Sequence, residues 1–86
     1  PCILHGSHGF NLFPWLHAAA AIPGCRILEV VYIVPPILPQ QQWAPLAQLL
    51  TTDEFLHLED GALTVPTGPG LGVPFDPAAL AEYRLP

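Results

Sequence analysis

The sequence predicts an α/β fold built on a strand–helix–strand unit, and three stretches near its start support this prediction. Residues 1–4 are short and apolar and are expected to end a strand, a helix is expected from Asn11 to Ala21, and an apolar, β-branched run follows at 26–34. The run has almost no polar alternation, which is typical of a strand covered on both faces in a parallel sheet. We therefore expect two parallel strands joined by a helical crossover.

A polar, glycine-rich turn is predicted at residues 5–9, between the first strand and the helix. Asn11 is a favourable N-cap, Pro14 is tolerated in the first helical turn, and Pro23-Gly24 should stop the helix. Parallel strands joined by a crossover end at the same edge of the sheet. The polar turn and the end of the second strand should therefore lie together at one mouth.

The chain divides into two parts in this prediction. Residues 1–50 contain the strand–helix–strand unit, a break at the prolines of 35–39, a polar linker of three glutamines at 40–42, and weak helical character over 43–50. Residues 51–86 form a C-terminal tail.

The tail is expected to be a hairpin, an irregular segment and a short helix. Asp60-Gly61 is a favoured two-residue connection and predicts a hairpin over residues 55–65. Proline and glycine dominate residues 66–74, so this segment should be irregular. Asp76 and Pro77 have the types expected at the N-cap and first position of a final helix.

The composition is unusual for a domain that folds alone. Charged residues make up 10% of the 86 residues, against roughly 25% in typical soluble domains, while 51% are hydrophobic. A chain of this size has too little polar surface to cover itself, so we expect a piece of a larger protein or an obligate partner in an assembly.

The charge balance and the hydropathy exclude two classes of partner. Seven acidic residues stand against two basic ones, Arg26 and Arg84, which excludes the basic footprint of a nucleic-acid-binding protein. No apolar run approaches the ~20 residues that span a bilayer, and the start lacks the basic region of a signal peptide.

Two cysteines, Cys2 and Cys25, are too few for a disulfide scaffold and predict a reduced, cytoplasmic setting.

One acid in the second strand requires an explanation. Strand alternation places Glu29 on the same face as Ile27, Val31 and Ile33. Burying an unpaired carboxylate costs several kcal/mol, so Glu29 is expected either near solvent at a strand end or in a functional site.

Several stretches occur together in a specific order: Ser7-His8-Gly9-Phe10, Ala20-Ala21-Ile22-Pro23, Leu28-Glu29, the run from Glu59 to Pro66, and Pro69-Gly70-Leu71-Gly72-Val73 followed by Asp76. In combination they resemble the C-terminal end of the mandelate racemase and muconate lactonizing enzyme family, in the enolase superfamily. The resemblance covers essentially all 86 residues, and it extends over only the last part of a full-length member.

The resemblance implies a modified (β/α)8 barrel. This chain would supply the end of strand seven, helix seven, strand eight, and a tail hairpin and helix that pack toward the capping domain, so it would be incomplete as a domain. Such barrels carry their active sites at the C-terminal ends of the strands. The turn at residues 5–9 and Glu29 are expected at that same edge.

The resemblance also implies a reaction: removal of the proton α to a carboxylate, with Mg²⁺ stabilising the enediolate. The substrate would be a small carboxylate or acid sugar, and the intact enzyme would be a homo-oligomeric dehydratase or racemase. Racemisation, dehydration and cycloisomerisation share this first step, so these residues do not choose among them. The Mg²⁺ ligands are expected outside this chain, which should be inactive alone.

Three residues of the chain are candidates for catalysis. By residue match, His8 is the base and Glu29 is a protonated hydrogen-bond donor to the substrate carboxylate, a form that its apolar strand face favours. His5 is the alternative base, because some dehydratases of the family carry their histidine in this earlier position. His17 and His57 are expected to be packing or surface residues.

Two non-enzymatic functions remain open. The first is a small apolar protein-interaction module without catalytic activity, which the composition permits. The second is a metal site formed by His5, His8 and Cys2, although nothing in the sequence suggests groups that would orient such ligands.

Overall fold

The computed structural model describes residues 2–7, 9–30 and 39–86. Within these ranges the elements are two strands, three α-helices and two short 3-10 helices. In chain order they are β1 (Ile3–Ser7), a 3-10 helix (Gly9–Asn11), α1 (Leu12–Ala21), β2 (Ile27–Val30), α2 (Pro39–Ala47), a 3-10 helix (Glu54–Leu56) and α3 (Pro77–Glu82).

The two strands pair in parallel, which confirms the predicted strand–helix–strand unit. Ile3 lies opposite Ile27, and Ser7 lies opposite Val30 after an irregularity in the register. The predicted turn at residues 5–9 was therefore wrong over its first three residues, which belong to β1. Pairing with β2 satisfies backbone groups that a turn would leave to solvent. Residues 31–34 of the predicted second strand and the prolines at 35 and 36 lie outside the described residues.

Helix α1 ends where the sequence predicts, and its start differs in one detail. Asn11 occupies the N-cap position, but its side chain makes no capping hydrogen bond. Its backbone is already helical, with φ −71° and ψ −13°, because a 3-10 helix leads into α1. Gly24 adopts φ +83° in the turn after the helix, a left-handed conformation that favours glycine.

The prediction of a polar linker at residues 40–42 was wrong, because all three glutamines lie inside α2. Pro39 occupies the first position of this helix, where a missing N–H costs nothing, and glutamine has a good helix propensity. Because α2 ends at Ala47, the predicted helical character over 43–50 was right only for its first five residues.

The core lies where α1 meets α2 and the segment after it. Leu12 and Phe13 are fully buried, and they form one cluster with Trp43, Leu46 and Leu50. Leu56 completes the cluster, and side chains of β2 and the tail pack against it. None of the helices in the described ranges has the length and apolarity that a membrane crossing requires.

The predicted hairpin forms only at its turn. Glu59 and Ala62 exchange two backbone hydrogen bonds of 2.9 Å around Asp60 (φ +50°) and Gly61 (φ +75°), which confirms the tight connection. The first predicted strand is wrong, because Glu54–Leu56 forms a 3-10 helix that buries Leu56. Burial of this leucine in the main core outweighs the alternating pattern.

The rest of the tail is tied back by hydrogen bonds. Asp76 N–H donates to the Leu49 carbonyl at 2.8 Å, and Thr51 N–H donates to the Pro74 carbonyl at 2.9 Å. The Asp76 carboxylate also accepts from the amides of Ala78 and Ala79 at 2.9 and 3.4 Å, which confirms it as the N-cap of α3.

Candidate functional site

The two strands present different faces to their surroundings. Leu28 and Val30 of β2 point toward α1 and pack against the core. Ile3 and Ile27 point the other way and are 57% and 60% exposed. We call the side that carries Ile3, His5, Ile27 and Glu29 the open face.

His5 and Glu29 meet on the open face. His5 Nδ1 lies 3.0 Å from Glu29 Oε2, and the side chains are 91% and 43% exposed. The contact lies toward the carboxyl ends of both strands, since β1 ends at Ser7 and β2 is described to Val30. The expected proximity of these two residues is therefore observed, and their direct hydrogen bond is an addition that the sequence did not predict.

The pairing has a simple origin in the fold. Ile3 is aligned with Ile27 and Leu4 with Leu28, and the next position on each strand comes directly after these pairs, on the same face as Ile3 and Ile27 and at the start of the irregular part of the register. His5 and Glu29 occupy those positions. A sequence prediction in which β1 continues through His5 would have indicated that His5 and Glu29 are neighbours.

Glu29 is less buried in this chain than its apolar strand face suggests. Its side chain is 43% exposed, so solvent reaches the carboxylate, and His5 is its partner. His8, the other candidate base, lies outside the described residues.

The remaining histidines, His17 and His57, contact other parts of the chain. His17 Nε2 donates to the Leu71 carbonyl at 2.8 Å and so ties α1 to the Pro-Gly segment. His57 contacts Asp53, four residues earlier in the chain, at 3.3 Å in an exposed pair. Neither lies with His5 and Glu29.

The described residues contain no group of three His, Cys, Asp or Glu side chains that could hold a metal ion. His5 and Glu29 supply only two donors. A Mg²⁺ ion prefers octahedral oxygen coordination, and this pair offers one carboxylate and an imidazole nitrogen. This part of the chain therefore does not fit a complete magnesium site.

A cleft of about 340 Å³ lies elsewhere, between α1, β2 and the turn at residues 58–65. Leu16, Leu28 and Leu63 are among its lining residues, and neither His5 nor Glu29 is. Its walls are mostly apolar, and Ile27 of the open face is also among them. Its position makes it a gap between packed elements, separate from the candidate site.

Among known proteins, the chain is similar to a family and not to an individual member. No curated protein and no solved structure matches the chain. A family model does match, over residues 1–79 of the 86. The protein belongs to the enolase C-terminal domain-like family.

Proposed function

We propose that this chain contributes an acid–base pair, His5 and Glu29, to an enzyme that removes the proton α to a carboxylate. The observation that carries the proposal is the 3.0 Å contact between His5 Nδ1 and Glu29 Oε2 on the open face of the sheet. Membership of the enolase C-terminal domain-like family supports this reaction class. An acid-sugar dehydratase or a racemase is the specific activity we propose.

The geometry suggests how the pair works. With the Glu29 carboxylate accepting from Nδ1–H, the other ring nitrogen of His5 keeps its lone pair and can accept a proton. Nε2 would take the α-proton, and the adjacent carboxylate would stabilise the imidazolium that forms. A 91% exposed His5 side chain has room for a substrate beside it.

Glu29 has a second possible role in the same reaction. In its protonated form it would donate a hydrogen bond to the substrate carboxylate, as the family resemblance implies. If other parts of the intact enzyme pack over the open face, the protonated form is favoured, because desolvation disfavours the charged carboxylate. In either role Glu29 acts on charge that develops during proton transfer, so its effect should be greatest in the transition state.

Members of the enolase superfamily generally use Mg²⁺, which would stabilise the enediolate. Since the described residues supply no complete ligand set, we propose that the magnesium ligands lie outside this chain. His5 and Glu29 are then assigned only proton transfer and hydrogen bonding.

The coding sequence upstream of Pro1 provides the first test. The proposal predicts a Lys-x-Lys strand motif and three spaced acidic residues there. A start codon directly before Pro1 would contradict it. This test requires no purified protein and separates an enzyme fragment from a small independent module.

Isotope exchange provides the second test, in the enzyme that carries this chain. His5→Asn should slow exchange of the substrate α-hydrogen with D₂O by about 10²–10⁴-fold. His8→Asn is the matched variant, and a larger loss of exchange rate there than in His5→Asn would make His8 the base.

Glu29→Gln should lower kcat more than it raises KM, whereas an unchanged kcat would show that Glu29 is structural.

The exposed side chains of the open face favour one other function, a protein-interaction module without catalytic activity. Ile3 and Ile27 are both more than half exposed. In this case Ile27→Lys should abolish protein–protein association measured by sedimentation, while Leu80→Lys, on α3, should not. If the Ile27→Lys variant still associates, the open face is not the docking surface.

A further inference from the structure

We propose that Cys2 and Cys25 form an oxidisable thiol pair at the amino-terminal edge of the sheet, which closes to a disulfide when a low-molecular-weight disulfide such as oxidised glutathione is present. The pair lies at the opposite end of the strands from the His5–Glu29 contact. It does not depend on the proposed function.

The strand register brings the two residues together. The first aligned pair is Ile3 with Ile27, so Cys2 stands one residue and Cys25 two residues before it. With adjacent strands ~4.8 Å apart and a rise of ~3.3 Å per residue, an offset of one residue places the two Cα atoms roughly 6 Å apart. Disulfides join Cα atoms that are about 4.4–6.8 Å apart, and because neither cysteine lies within a strand, alternation does not force their side chains to opposite faces.

The thiols also act on each other directly. A side-chain hydrogen bond with Cys25 is the main cause that raises the pKa of the Cys2 thiol, with desolvation and charge repulsion adding to it. Cys25 in addition contacts the Ile27 carbonyl at 3.9 Å, which holds its sulfur near the strand. Both cysteines are free thiols and only partly buried.

A reagent can reach the pair. Cys25 lines the cleft between α1, β2 and the turn at residues 58–65, and the cleft opens to solvent. A tripeptide disulfide can therefore approach the sulfur from this side without unfolding the sheet.

The reaction is a two-step thiol–disulfide exchange. The thiolate of one cysteine attacks a sulfur of oxidised glutathione, which breaks the S–S bond and releases one glutathione thiolate. The second cysteine thiolate attacks the protein sulfur of the mixed disulfide and releases the other. The two protons lost by the cysteines are taken up by the two glutathione thiolates, so two thiols are oxidised as one disulfide is reduced.

The experiment treats the 86-residue chain with oxidised glutathione and follows it by mass spectrometry and thiol titration. We expect both thiols to be lost, the mass to fall by two hydrogens, and a linked peptide containing Cys2 and Cys25 to appear after proteolysis. Cys2→Ser and Cys25→Ser should instead each keep one glutathione adduct. Accumulation of a doubly glutathionylated wild-type chain, or of a disulfide-linked dimer, would overturn the proposal.

A second measurement tests whether the fold holds the pair together. The effective concentration of one thiol toward the other, obtained from glutathione redox buffers, should be about tenfold or more higher in native buffer than in urea. Equal values in the two solvents would show that the register does not bring the thiols together, and would overturn the proposal even if a disulfide forms.

Discussion

The region before residue 31 and the region after residue 38 are stabilised in different ways. The first pairs two short strands and leaves one face of the sheet open, with Ile3 and Ile27 both more than half exposed. The second has little regular structure beyond two helices, yet its turns and helix ends are closed by specific hydrogen bonds. Hydrogen bonds thus hold the tail against the segment after α2, while one face of the sheet keeps its apolar side chains exposed.

The total accessible surface is large for a chain of this size. The chain exposes 6117 Å², whereas a compact protein of 9.3 kDa exposes about 5,000 Å². The candidate catalytic pair lies on the open face. The exposed face of the sheet thus also carries the pair that we propose to be catalytic, as expected if other parts of a larger enzyme pack over it.

Phe13→Ala should have the largest effect, because Phe13 joins the two regions. It is fully buried in the cluster that α1 shares with α2. Truncating a buried phenylalanine costs about 3–5 kcal/mol, a large part of the stability of a domain this small. Urea unfolding followed by circular dichroism measures the loss. Trp15→Ala removes a larger but partly exposed side chain from the same helix and should cost less, and an equal cost would place the core elsewhere.

Gly72→Ala should have the next largest effect, confined to the tail. Gly72 has φ +74°, and an added Cβ would lie 2.8 Å from the Cβ of Pro66. Gly70→Ala is the matched control, since Gly70 has φ +63° but nothing within 4 Å of the added atom. The left-handed backbone costs both variants about 1–2 kcal/mol in the free energy of unfolding, and the clash should add about 1–3 kcal/mol at Gly72 alone. Equal losses would show that the segment shifts to relieve the clash.

Much of the fold follows from local signals in the sequence. The ends of α1, the turn at Asp60-Gly61 and the cap at Asp76 were all predicted, because each depends on residues adjacent in the chain. The errors came where tertiary contacts decide. Leu56 lies in a 3-10 helix because this conformation buries its side chain in the core. The glutamines belong to α2 because Trp43 and Leu46 anchor that helix in the core.

The candidate site was partly predictable for the same reason. Crossover geometry placed His5 and Glu29 at one edge, and the parallel sheet confirms that placement. Their direct contact depends on the register of β1 against β2 and on the continuation of β1 through His5. The exposure of Glu29 was not predictable from strand alternation, since alternation defines a face but not whether anything covers it.

Asp76→Ala tests the closure of the tail at its last helix. Its carboxylate accepts from two amides of α3, so its loss should cost about 1 kcal/mol. Hydrogen exchange at the amides of Ala78 and Ala79 measures this locally and should become faster. Asn11→Ala is the control from the other region, where the N-cap side chain makes no such bond and the free energy of unfolding should hardly change. Comparable effects of the two substitutions would remove the contrast in how the helices are capped.

Glu29→Gln should have the smallest effect on stability, although the same change is expected to matter most for catalysis. The His5–Glu29 pair is largely exposed, and exposed ion pairs contribute about 0–1 kcal/mol, so the free energy of unfolding should fall by less than ~0.5 kcal/mol. Asp53→Asn, which breaks the exposed contact with His57, is the matched control and should behave alike. A loss above ~1 kcal/mol in Glu29→Gln alone would mean that the pair holds the two strands together. The contact would then be explained by its effect on stability. The proposal that His5 and Glu29 form a proton-transfer pair would lose its main supporting observation.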